Sequence, residues 1–315
     1  MTNLTRRGFL GRAAAVAGVA AVGHPGWWRP VAHAGEPVPL RYAICNELFE
    51  GWPFEKAFGF AAECGYTGIE VAPFTVSNYV TDVSAARRRE IRRQAEAAGT
   101  PICALHWLLA RTEGFHLTSP DRAVRRRTAE YFKELARFCA DLGGDVMVLG
   151  SPQQRNLQPG VTLEQATTHA VEVLGEVLPV LDQTGVTIGL EPLAPNETTF
   201  MSTAAETVGV MRRIDSPRCR MILDCKAAIT EADPIPDLIR RHRREMIHFH
   251  ANDPNLQGPG FGDLDFVPIM GALLDIRFGG WVSVEVFDYS PGVERLARES
   301  IEHMQTTVRG LLAKA

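Results

Sequence analysis

The chain has 315 residues, 45% of them hydrophobic and 22% charged, with a formal charge of −4. A mildly acidic chain argues against nucleic-acid backbones as partners, because they call for a basic face. Its length exceeds what one small domain needs and suits a single large α/β domain.

Residues 1–34 read as a removable leader. Thr5-Arg6-Arg7-Gly8-Phe9-Leu10 is a twin-arginine pattern, a small-apolar run follows from Ala13 to Val22, and Ala32-His33-Ala34 offers a cleavage site. The apolar run is shorter than the ~20 residues of a membrane span, so no stable insertion is expected after cleavage. The expectation is export by the twin-arginine route to the periplasm or medium. Cleavage leaves residues 35–315, and the loss of four arginines moves the formal charge from −4 to −8.

From Leu40 onward eight β-rich runs alternate with helical patterns. The runs are Leu40–Cys45, Gly68–Val71, Ile102–His106, Val146–Leu149, Val186–Glu191, Arg220–Asp224, Met246–His250 and Trp281–Glu285. Helical segments include Ser84–Ala98, Ala123–Ala140, Leu163–Thr184, Thr203–Ile214 and Val293–Ala313. Glycine or proline breakers announce several strands, as in Gly99-Thr100-Pro101, Gly143-Gly144 and Gly185. The runs are apolar without clean alternation, as in parallel strands buried on both faces. Eight βα units favour a closed (β/α)8 TIM barrel, and no G-x-G-x-x-G follows the first strand to support a dinucleotide fold. No linker interrupts residues 35–315, which are read as one domain. The six cysteines form no C-x-x-C pair and read as isolated thiols, with one disulfide in an oxidising compartment as the alternative.

The last four strands share one feature. Val186–Glu191 ends in Glu191, Arg220–Asp224 in Asp224, Met246–His250 in His250 and Trp281–Glu285 in Glu285. Singly, each has a structural explanation: a glutamate before proline ends a strand, an aspartate caps a helix, a histidine packs in a core. Together they converge at one barrel mouth, where catalytic groups of this fold lie. Three carboxylates at one buried mouth repel each other unless a cation neutralises them. Two Glu, one Asp and one His suit one hard divalent ion, Mn²⁺ first and Mg²⁺ or Co²⁺ beside it.

These strand ends resemble the xylose isomerase-like superfamily of sugar isomerases and epimerases, closest to its ketose 3-epimerase branch. The resemblance covers residues 35–315. It rests on Leu190-Glu191-Pro192-Leu193, Leu223-Asp224, His248-x-His250 with Pro259-Gly260-x-Gly262-Asp263, and Val284-Glu285. It implies that Glu191, Asp224, His250 and Glu285 hold one divalent metal, that Glu191 and Glu285 are acid and base, and that Glu197 contacts substrate. It departs at Ala227 and Leu256, where the ketose epimerases carry a histidine and an arginine. The substrate-holding shell has therefore changed, and Lys226 with Asn252 or Asp253 offers other polar contacts. The expected activity is proton transfer next to a sugar carbonyl through an enediolate. The runner-up is β-elimination from a 3-keto-glycoside on the same site, and the non-enzyme alternative is a sugar-binding barrel without turnover. Related barrels pair, so a homodimer or homotetramer is expected.

Weaker candidates lie on the early strands. Glu70 closes strand two and His106 closes strand three; both are placed in the substrate pocket, and Glu47 follows strand one. Trp107 reads as either a sugar-ring platform or a core residue. Ser119 and Pro120 read as helix-start signals, and Asp263 as the entry to another helix. Arg87–Arg89, Arg125–Arg127 and Arg240–Arg244 read as solvated helix faces. The Gly258–Gly262 loop lacks the residues of a phosphate cradle and is expected to turn closely over the mouth.

Overall fold

Runs as short as Val146–Leu149, apolar on both faces, must be covered on both sides to stay out of water. The computed structural model, which describes residues 39–314, meets that demand by closing the sheet on itself. Its strands are β1 (Arg41–Cys45), β2 (Gly68–Val71), β3 (Ile102–Leu105), β4 (Val146–Leu149), β5 (Thr187–Leu190), β6 (Cys219–Asp224), β7 (Met246–Ala251) and β8 (Trp281–Val284). Each pairs in parallel with the next, and β8 closes onto β1. Around them run α1 (Phe54–Cys64), α2 (Ala85–Ala98), α3 (Arg122–Leu142), α4 (Leu163–Thr184), α5 (Ala204–Ile214), α6 (Cys225–Ala228), α7 (Ile235–Arg241), α8 (Phe266–Asp275) and α9 (Val293–Leu312). The expected single TIM barrel is present. The expected leader lies outside the described residues. No helix among the described residues is long and apolar enough to cross a membrane.

The two-residue period of each strand sorts side chains into two populations. Ile44, Ile69, Met147, Leu190, Phe249 and Val282 belong to the large cluster beneath the helices. Ala43, Cys103, Ala104, Val146, Val148 and Ile222 make a smaller cluster inside the barrel, with Trp281 packed against it. Gly68 makes room for Trp281, since a Cβ there would lie 2.7 Å from the indole. Two residues further along the same strand faces the chemistry changes: Gly189 leads to Glu191, Ile222 to Asp224, His248 to His250 and Ser283 to Glu285. The barrel is thus apolar at its floor and polar at the carboxyl ends of its strands.

Local signals explain the helix ends. Ser84 accepts from the Arg87 amide to cap α2, and Thr162 with Gln165 forms a reciprocal capping box on α4. Helices α2 and α4 stop at Gly99 and Gly185, both left-handed. Two helix starts differ from expectation. Asp121, not Ser119 or Pro120, caps α3 by accepting from the Ala123 amide at 2.7 Å, and α8 begins after Asp265 rather than at Asp263. In both, an aspartate accepts from the backbone amide two residues on.

Two arginine runs also differ. Arg125 is buried and donates to the Ser119 and Pro120 carbonyls and to Glu172, so it ties α3 to its own approach loop and to α4. Arg88 likewise donates to the carbonyls of Val83 and Val80. The arginines between 240 and 244 are exposed, as expected. The Gly258–Gly262 loop presses on α9 instead of covering the mouth: a Cβ at Gly258 would strike Ser300, and one at Gly260 the His303 ring. All six cysteines are free thiols.

Candidate metal centre

Glu191, Asp224, His250 and Glu285 each place one ligand-type atom within 4.8 Å of the others, and all four are buried. Asp224 and His250 sit on β6 and β7, whereas Glu191 and Glu285 are the residues immediately after β5 and β8. His250 Nδ1 lies 3.3 Å from Glu191 Oε1 and 3.0 Å from Glu285 Oε2, yet has no hydrogen-bond partner among the described residues. Around an octahedral ion with donors about 2.1 Å away, adjacent donors stand about 3 Å apart. The orphaned nitrogen and its two carboxylate neighbours therefore fit a divalent cation, which would be held by these four side chains.

The electrostatics agree. Burial, then Glu191 and Glu285, push Asp224 up to about 7, against a partial offset from Lys226. Burial alone would lower His250, but Glu285 and Glu70 hold it well above its ordinary value. Without a cation, protons gather where positive charge is needed.

Neighbouring groups fix each ligand. Glu70, 0% exposed, accepts from His248 Nε2 at 2.9 Å and from His250 Nε2 at 3.3 Å. With Nε2 engaged, Nδ1 is the His250 atom left for a metal. The expected substrate contact by Glu70 is corrected accordingly: its carboxylate lies beneath the centre and is occupied by histidines. Asn252 donates to Asp224 Oδ2, and the Ala227 amide donates to Asp224 Oδ1 at 2.7 Å. Asp253 instead accepts from the Leu264 amide and orders its own loop.

The other sequence candidates divide by reach. Lys226 pairs with Glu197 at 2.6 Å, and its Nζ lies 4.9 Å from the Phe287 ring. The pair is mostly buried at the mouth rather than solvated. His106 donates to Glu47 at 2.6 Å, a direct hydrogen bond shorter than the spacing of two donors flanking an ion. Cys45, Glu47, His106 and Glu285 make a second buried cluster beside the first and share Glu285 with it. Trp107 is 38% exposed, so it is not a core residue, and its Nε1 donates to Glu285 Oε1 at 2.9 Å. Ala227 and Leu256 place no polar side chain at the mouth. Leu256 works through its carbonyl, which accepts from the Phe287 and Asp288 amides at 2.8 and 2.9 Å.

Two residues escaped sequence reading. Arg155 is fully buried and donates to the Glu191 carbonyl at 2.7 Å and the Leu149 carbonyl at 3.3 Å, holding the ends of β4 and β5 together. Burial pushes its guanidinium down to about 10. Gly150 follows β4, and a Cβ there would lie 2.3 Å from Glu191 Oε2. The only signal for Gly150 was its place after a strand; Arg155, in an irregular loop, carried none.

Gly150→Ala moves the flexible tip of Glu191, not backbone. Metal affinity is expected to fall about tenfold or more, while unfolding free energy changes by under ~1 kcal/mol. Isothermal titration with Mn²⁺ and urea unfolding check both, and unchanged affinity would remove Glu191 from the ligand set. Asp224 titrates near 7 when folded against 3.8 otherwise, so its contribution to stability is lost as pH rises through 7. The raised His250 adds the same sign. Metal-free protein is expected to melt lower at pH 8 than at pH 6, with Mn²⁺ raising the melting temperature more at pH 8. A metal-free melting temperature that rises over this interval would contradict the assignment.

A family model described as a xylose isomerase-like TIM barrel matches residues 58–307. The chain is 23% identical to a fructoselysine 3-epimerase of Escherichia coli O157:H7 over 80% of this chain and 93% of that protein. Among solved structures it resembles a D-psicose 3-epimerase from Clostridium cellulolyticum H10 at a TM-score of 0.76 and 20% identity, covering 85% of this chain and 99% of that one. It also resembles a 3-keto-D-glucoside 4-epimerase from E. coli at 0.74 and 18%, covering 85% and 100%.

Proposed function

The chain belongs to the xylose isomerase-like TIM barrel family, and we propose that it is a divalent-metal-dependent sugar epimerase or isomerase that moves a proton next to a carbonyl. The observation that carries this reading is the pair of carboxylates, Glu191 and Glu285, flanking the orphaned His250 Nδ1 at 3.3 and 3.0 Å. The epimerases it resembles support the same class of reaction. A bound divalent cation, Mn²⁺ by preference for this oxygen-rich donor set, supplies Lewis acidity that lowers the cost of negative charge on sugar oxygens.

The protein's own side chains do the rest. One of Glu191 and Glu285 takes the proton from the carbon beside the carbonyl, leaving an enediolate, and the other returns a proton to the opposite face. The centre inverts; the first glutamate ends protonated and the second ionised, and proton exchange with water restores both. His250 is the burial-locked neighbour that keeps both carboxylates on station. Lys226 and Glu197 hold hydroxyls at the far end, and the exposed face of Trp107 offers a platform for the sugar. With Ala227 and Leu256 lining the rest, the site favours a sugar that makes fewer polar contacts there than a free ketohexose does. Export through the twin-arginine leader and assembly as a homodimer or homotetramer complete the proposal.

Incubating Mn²⁺-loaded protein in D₂O with a panel of ketoses and 3-keto-glucosides is expected to place one solvent deuterium on the inverted carbon of the accepted sugar, read by NMR. Glu191→Gln is expected to lower kcat by about 10³-fold or more. Full turnover by that variant with metal bound would refute the role given to Glu191.

A further inference from the structure

Trp107 combines three unusual features. Its backbone lies in the left-handed region at φ 52°, an uncommon place for a bulky residue. Its indole is exposed at the mouth between Phe74 and Phe287, with ring centroids 6.1 and 6.2 Å away. Its Nε1–H donates at 2.9 Å to Glu285 Oε1, across 178 residues of sequence. The turn is pinned on both sides: the Trp107 carbonyl accepts from the Ala110 amide, the Leu109 amide donates to Ser151, and Leu108 and Leu109 are buried. Strain held this firmly at a site points to a positioning task.

The two oxygens of Glu285 have different partners. Oε1 takes the indole N–H, while Oε2 faces His250 Nδ1 at 3.0 Å. On Glu191, the other glutamate of the pair, Oε1 faces the same His250 Nδ1 at 3.3 Å. We propose that Trp107 is a positioning residue for Glu285, whose hydrogen bond reserves Oε1 and aims Oε2 at the cation and substrate. This rests on the reading of Glu285 as a metal ligand and proton-transfer group. It gives Trp107 a role separate from that of a sugar platform, which needs the ring and not the N–H.

Trp107→Phe separates the two roles, because phenylalanine keeps an aromatic face and the same backbone demand but cannot donate. Mn²⁺ affinity by isothermal titration is expected to fall about tenfold, the usual cost of removing a group that orients a metal ligand. The visible absorption of the Co²⁺-loaded protein is expected to change as Glu285 is freed to rotate. If a substrate is in hand, kcat falls about tenfold with KM within about twofold. Trp107→Leu, which lacks both donor and ring, is expected to show the same loss of affinity and in addition a raised KM. Should Trp107→Phe match the wild type in affinity and cobalt spectrum while Trp107→Leu is impaired, the residue acts by packing alone and the proposal fails. A cobalt spectrum that shifts in a protein without epimerase activity would keep this proposal and sink the functional reading instead.

Discussion

The structure turns on the repulsion among carboxylates that converge on one buried point. Glu191, Asp224 and Glu285 come from three different βα units and meet around a histidine nitrogen that has no hydrogen-bond partner among the described residues. Such an arrangement is costly in a bare protein, since each carboxylate raises the cost of ionising the next. Pushing Asp224 up to about 7 and His250 well above its ordinary range is the protein's response in the absence of a cation. One divalent ion in place of those protons would remove the conflict and would supply Lewis acidity at the same point.

The barrel supplies the rigidity that makes this possible. Parallel strands in fixed register bring every second side chain inward, and their closure places four consecutive strand ends within a few ångströms. Beneath them Glu70 engages both histidines of β7, which settles the free nitrogen of His250. Around them Arg155 ties together the ends of β4 and β5, Gly150 leaves room for Glu191, and Asn252 holds Asp224. The four side chains are thus oriented by partners on other strands and loops, the kind of support that gives a metal site affinity and selectivity.

Much of this was legible in the chain. Strands begin and end within one residue of expectation because each is a compact apolar run, several of them set off by glycine or proline, as at Gly99-Thr100-Pro101 before β3. The four metal-type residues were legible for a different reason: one polar residue at the same place in four successive units is a pattern that core packing does not generate. What stayed hidden depends on contacts far apart in sequence. Nothing local distinguishes Glu70 beneath the centre from Glu70 in the pocket; only the 178-residue contact with His248 does. Arg125 looks like its solvated neighbours until the Ser119 and Pro120 carbonyls fold back onto it. The glycines of the Gly258–Gly262 loop are recognisable as conformationally special, but nothing local shows that Gly258 and Gly260 face α9.

Anomalous diffraction from crystals soaked in Mn²⁺ tests the central claim most directly. One peak is expected, ringed by carboxylate oxygens of Glu191, Asp224 and Glu285 and by His250 Nδ1, with Nε2 still turned to Glu70. A peak elsewhere, or none at full occupancy of the soak, would contradict it.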